Sequence, residues 1–141
     1  MTNLTAATPR TFRGPMSRAT YGAAGAIFEG SLVQLDAAGA IVNASGDGTT
    51  FAGIADGSAS AAADRVTVVD EGTAKLAGVV KGSTWTLGDV GDVVYAGDGN
   101  AFTTVSSGAQ AVGRVVEVES FAGTAATCWV KFQSLAMRDP A

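Results

Sequence analysis

The sequence predicts an all-β protein: a small barrel or a two-sheet, jelly-roll-like sandwich, built from two similar four-strand halves and preceded by an extended N-terminal arm. Three observations point there. Of 141 residues, 16 are valine and 15 threonine, side chains whose branching at Cβ restricts χ1 and suits a pleated surface. Nineteen glycines imply many tight turns. Finally, no stretch sustains an apolar period of 3.6, whereas short valine-rich runs alternate with Gly, Asp, Asn and Ser clusters.

Taken in order, residues 1–29 show no strand alternation and contain Pro9, Gly14, Pro15, Gly22 and Gly25. Proline fixes φ and removes a donor, so this segment reads as an extended or irregular arm. From Gly30 the texture changes to that of a β domain running to residue 133. Strands are expected over Ser31–Leu35, Ala40–Asn43, Thr50–Ala55, Arg65–Asp70 and Thr73–Val79. Further strands are expected over Trp85–Leu87, Asp92–Tyr95, Ala101–Val105, Val112–Glu119 and Thr127–Phe132. Turn signals separate them at Asp36–Gly39, Gly46–Gly48, Gly88-Asp89 and Gly97–Asn100. Period-two alternation places Val66 and Val68 on one face, and Cys128, Val130 and Phe132 on one face with Trp129 and Lys131 opposite. It also pairs Val116 with Val118, opposite Val115, Glu117 and Glu119. Residues 134–141 form a short C-terminal tail, read as a second contact arm.

A weak internal repeat organises these strands. Val33 and Val94 are 61 residues apart, Gly53 and Gly113 are 60 apart, and Val68 and Val130 are 62 apart. Near-constant spacing of ordered landmarks suggests two copies of one unit, linked through Glu71–Val90.

Composition removes whole classes of function. There is no histidine, so no Ser-His or Cys-His nucleophile pair and no histidine metal site is available. The single cysteine, Cys128, permits neither an internal disulfide nor a thiolate zinc cluster, and its neighbour Trp129 suggests an inert packed thiol. No run of about 18 apolar residues predicts a membrane-crossing helix. Three arginines interrupt the N-terminal segment where a secretory leader would need an apolar stretch. The protein is therefore expected to be made and assembled in a cytoplasm. Charge is uneven: residues 1–28 carry +3 and residues 29–130 carry −8. An acidic body repels phosphates, so nucleic acid is not an expected partner.

Candidate chemistry is sparse. Asp36, Asp47, Asp56, Asp89 and Asp98 sit in turns, where aspartate commonly bonds its own backbone, and no pair of carboxylates is set up for acid–base work. Gly88–Asp92 and Asp98–Asn100 hold possible oxygen ligands for calcium but lack the spaced acids and closing glutamate of a calcium loop. No Gly-rich segment precedes a helix or a Gly-Lys-Ser/Thr motif, so no phosphate cradle is expected. Trp85 and Trp129 read as core or rim packing. No enzyme activity, cofactor or metal is predicted. What remains is protein binding: the arm carries Phe12, Met16 and Tyr21 as apolar anchors among Arg10, Arg13 and Arg18, a segment suited to another protein's surface or sheet edge.

One resemblance runs through the β domain. The ordered series Gly30-Ser-Leu-Val33, Gly53-Ile-Ala55, Val79-Val-Lys81, Gly91-Asp-Val-Val-Tyr95, Ala111-Val-Gly113 and Cys128-Trp-Val-Lys131 resembles the small all-β head decoration, or cement, proteins of tailed bacteriophages. It covers residues 30–132 and leaves the arm unmatched. The resemblance implies a structural virion protein on the capsid exterior, acting as a homotrimer that clamps adjacent major capsid subunits. In that setting Arg10, Phe12, Arg13, Arg18 and Tyr21 are the expected capsid contacts. The alternative is another virion or surface component, such as a tail, head-fibre or adhesin domain that binds a host surface or glycan.

Overall fold

The computed structural model describes residues 3–45, 50–105 and 109–134. They form nine strands: β1 (Phe12–Gly22), β2 (Leu32–Leu35), β3 (Ile41–Asn43), β4 (Phe51–Ala55), β5 (Arg65–Val80), β6 (Val93–Asp98), β7 (Ala101–Thr103), β8 (Gln110–Ala122) and β9 (Ala125–Gln133). No helix occurs among the described residues, so the chain is all-β.

The strands follow the order β3-β2-β4-β5-β7-β6-β8-β9, and a second pairing of β5 with β9 closes the last five into a barrel. The remaining strands form a flank against it. There β2 lies between β3 and β4, while β4 pairs with the first part of β5. β1 runs antiparallel to β5, and Ala23, just past its end, meets Ile41 of β3 through an isolated parallel bridge.

The long strand β5 joins the two parts. Its residues 65–74 pair with β1, while residues 71–80 pair with β9. Two cores result. The larger fills the barrel and its contact with the flank, around Leu76, Val79, Trp85, Val94, Phe102 and Phe132. The smaller lies inside the flank, around Ile27, Val33, Ile41, Val66 and Val68. Strand β4, Phe-Ala-Gly-Ile-Ala, is buried at all five positions. Its Phe51 and Ile54 face the large core, whereas Ala52 and Ala55 face the small one. A strand covered on both faces has no position for a polar side chain, which explains its uniform apolar sequence. A side-chain bridge adds a polar tie between the parts: the Gln110 amide donates to Gln34 Oε1 at 2.6 Å and to the Ser45 carbonyl at 3.0 Å.

Four sequence expectations need correction. Phe12–Gly22 is a strand of this chain's own sheet and not an irregular segment. Its alternation was hidden because the register breaks around Gly14 and Pro15, where φ of Gly14 is +73°, and because none of its side chains is fully buried. Arg65–Asp70 and Thr73–Val79 form one strand; Glu71 and Gly72 mark a change of neighbours rather than a linker. Trp85–Leu87 lies in a loop. Within β8, register shifts after Val115 and after Val118 reverse the expected alternation. Val115 and Val118 are therefore buried, and Val116 is exposed. By contrast, Val66 with Val68, and Cys128 with Val130 and Phe132, face inward as their spacing indicates.

Candidate interaction surface

The N-terminal segment lies as a strap where flank and barrel meet, residues 5–8 beside the flank loops around Phe28 and Ser58 and residues 10–13 over the barrel. Asn3 Oδ1 accepts from the Gly99 amide at 2.8 Å, and the Thr8 amide donates to the Glu29 carbonyl at 2.8 Å. Arg10 Nε donates to the Gly30 carbonyl and its terminal nitrogen to Asn100 Oδ1, both at 2.8 Å. Its guanidinium also sits 5.3 Å from the Phe102 ring centroid, and burial pulls its pKa below the ordinary value. Next, the Lys75 amide donates to the Thr11 carbonyl at 2.9 Å. Phe12 packs at 6.4 Å on the Phe132 ring. Arg13 lies 4.1 Å over Trp129 and pairs with Glu117 at 2.9 Å.

Beyond the break at Gly14-Pro15, β1 turns to the flank. The Ser17 hydroxyl donates to the buried Asp70 carboxylate. Arg18 pairs with Asp56 at 2.9 Å. Tyr21 packs against the small core, and burial, with Asp70 nearby, raises its pKa. Each of the five arm residues singled out in the sequence thus has a partner within its own chain. They are distributed along β1 and the residues just before it: Arg10, Phe12 and Arg13 on the barrel, Arg18 and Tyr21 on the flank.

The turn carboxylates serve local structure. Asp36 Oδ1 accepts from the amides of Ala38 and Ala40 at 2.9 and 3.0 Å, and Asp98 Oδ1 accepts from Asn100 at 2.8 Å. Asp47 lies outside the described residues, as does the tail beyond Ser134. In Gly88–Asp92 the cation present is an ammonium: Lys81 Nζ lies 2.7 Å from Asp89 and 3.7 Å from Asp92, with the Trp85 ring 4.9 Å away. Among the described residues no three His, Cys, Asp or Glu side chains gather as a metal cluster.

The tryptophans divide. Trp85 is fully buried, and its indole N–H donates to the carbonyls of Val79 and Thr124 at 3.1 and 3.0 Å. Trp129 sits on the outer face of β9 and is shielded by Arg13.

The sequence reading missed a set of exposed apolar side chains. Val80, Leu87, Val90, Val105, Val116 and Phe121 are the large hydrophobics most open to solvent among the described residues, with Leu87 at 68%. All six lie in residues 80–121, and none belongs to the flank. The loop holding Leu87 and Val90 is tied to the β8–β9 turn, where Lys81 and Trp85 donate backbone bonds to Thr124 and Gly123 at 3.0 Å each. Beside that turn a shallow recess is lined by Gly78, Phe121, Ala122, Ala125 and Ala126. Large apolar residues within Leu87-Gly-Asp-Val90, a segment otherwise reading as a polar turn, were the available signal. No protein-family model and no curated protein matches the chain.

Proposed function

We propose that this chain is a structural virion protein that decorates the outside of an icosahedral phage capsid and clamps adjacent major capsid subunits, most simply as a homotrimer. The observation carrying the proposal is the confinement of the large exposed hydrophobics among the described residues to the barrel strands and their loops, between Val80 and Phe121. Isolated exposed apolar residues are ordinary, but a set confined to one part of a small domain suits a binding face. The ordered motif series from Gly30 to Lys131 supplies the phage context. Three such faces engaging a shell together would add about 10²- to 10⁴-fold in avidity, and binding confined to assembled shells stabilises them by mass action.

The same reading takes the body as two similar units that share β5. Supporting it, Val33 pairs with Gly53 and Val94 with Gly113, and each pair is followed by a register shift. A Cβ on either glycine would run into a carbonyl of the next strand, Val69 at Gly53 and Lys131 at Gly113. The parallel bridge Ala23↔Ile41 in the flank has a counterpart in Val80↔Thr103.

Co-sedimentation with empty shells tests the function. Leu87→Asp together with Phe121→Asp is expected to abolish decoration while leaving the β-sheet circular dichroism unchanged. Decoration by the folded double variant at the wild-type level sinks the proposal.

A further inference from the structure

The strap, residues 3–13, differs from the rest of the sheet. None of its side chains is fully buried, yet it lies in a groove shaped for it. A Cβ on Gly30 would collide with the Thr8 carbonyl, and the Gly99 amide donates to Asn3 Oδ1 at 2.8 Å. The groove presents Asn100 and Phe102 to Arg10, Phe132 to Phe12, and Trp129 with Glu117 to Arg13. None of these receptors belongs to the strap itself. An identical strap from another copy would therefore make the same bonds.

The connection to the rest of β1 is a hinge. Pairing with β5 is interrupted between Arg13 and Ser17. At the break, Gly14 holds φ +73° with nothing within 4 Å of the position a Cβ would take, and Pro15 has no amide hydrogen to pair. Gly14, with its left-handed φ, sits in this bulge, and the chain pairs with β5 on both sides of it. Straightening the bulge would send the strap outward, and eleven residues extended at roughly 3.3 Å each reach about 36 Å.

We propose that residues 3–13 exchange between copies of this chain, each strap seating in the neighbour's groove over Phe102, Phe132 and Trp129, with Gly14-Pro15 as the hinge. Exchange of an identical element is a low-cost route to association because it needs no new interface. This inference stands apart from the capsid reading and is tested on purified protein alone.

Arg13 and Thr73 are directly opposed on β1 and β5, at a spacing that accommodates a disulfide. Chains carrying Arg13→Cys are mixed with chains carrying Thr73→Cys and oxidised. A chain carrying both substitutions gives the internal bond and shows that the pair is competent. The native Cys128 thiol is fully buried, with its pKa pushed up to about 11, so it stays out of the reaction at neutral pH. The expected result is a mixed covalent dimer. Gly14→Ala provides an independent reading, because an L-residue disfavours the left-handed turn by about 1–2 kcal/mol, equivalent to roughly five- to thirty-fold. The variant is expected to tighten self-association by that factor in light scattering. Exclusively monomeric products from the mixture while the doubly substituted chain closes internally, or weaker association of the Gly14 variant, overturns the proposal.

Discussion

The flank and the barrel solve the same packing problem with different materials. The flank's core consists of Ile27, Val33, Ile41, Val66 and Val68 among four alanines, Ala23, Ala52, Ala55 and Ala59. The barrel's core contains Trp85, Phe51, Phe102 and Phe132. Small side chains bury little area each, so the flank gains much of its hold from backbone pairing with β5 and from the shared strand β4. Aromatic side chains bury more area per residue and add edge contacts, such as Phe51 against Phe132 at 6.3 Å. The part with the heavier core is also the part that exposes Leu87 and Phe121. A rigid, well-filled barrel tolerates apolar side chains at its surface without their collapsing inward, and such a surface remains available to a partner.

The largest expected difference comes from emptying each core in turn. Trp85→Ala removes a fully buried indole and leaves the Val79 and Thr124 carbonyls without their donor; a loss of about 3–5 kcal/mol is expected. Ile27→Ala, deep in the flank core, is expected to lose about 2–3 kcal/mol. Urea unfolding of the two variants checks the order. Equal losses would mean that the aromatic core holds no more tightly than the alanine-rich one.

The paired glycines differ between the two parts in backbone conformation. At both Gly53 and Gly113 an added Cβ meets backbone, which cannot swing aside as a side chain can. Gly53 additionally holds φ +137°, a conformation L-residues rarely adopt. Gly53→Ala is expected to cost about 3 kcal/mol and Gly113→Ala about 2 kcal/mol, measured by thermal unfolding. A neutral effect at either position would remove the strongest support for two equivalent units.

Several features of this comparison were legible in the sequence, and the failures have specific causes. Strands β2, β3, β4, β6 and β9 stood out because valine-rich runs were bounded by turn residues. The landmarks Val33, Gly53, Val94 and Gly113 lie at matching places in the pairing. β1 was hidden because its packing is shallow and a glycine–proline bulge interrupts its period. The alternation in β8 was misread because one-residue register shifts leave no mark in the sequence. Trp85 resembles a strand residue in composition, but its place is fixed by an indole bond to carbonyls at Val79 and Thr124, and the latter is 39 residues away. The five arm residues were recognisable as anchors; that their anchorage is to their own chain depends on long-range pairing. The exposed set from Val80 to Phe121 escaped notice because exposure is a property of the folded surface.

The smallest of these effects separates the two parts by pH. Cys128 is fully buried in the barrel, and burial, reinforced by the negative charges of Asp89 and Asp92, pushes its thiol up to about 11. The unfolded thiol titrates near 9.0. Because the folded value is the higher one, the stabilisation is complete below the unfolded pKa and is lost as pH rises through the folded one. On the proposed two-unit reading, the flank position that answers to Cys128, 62 residues earlier, is Val66, which has nothing to titrate. Between about pH 9 and 11 the wild type should lose about 2 kcal/mol, followed by urea midpoints at each pH. Cys128→Val, which gives the barrel the flank's side chain, should remove most of that slope. A smaller slope should persist, because burial also raises the Tyr21 pKa, and the hydrogen bond to Asp89 raises that of Lys81. If the valine variant instead falls in parallel with the wild type, the alkaline sensitivity originates outside the barrel core, and Tyr21→Phe on the flank together with Lys81→Gln becomes the substitution pair that should reduce it.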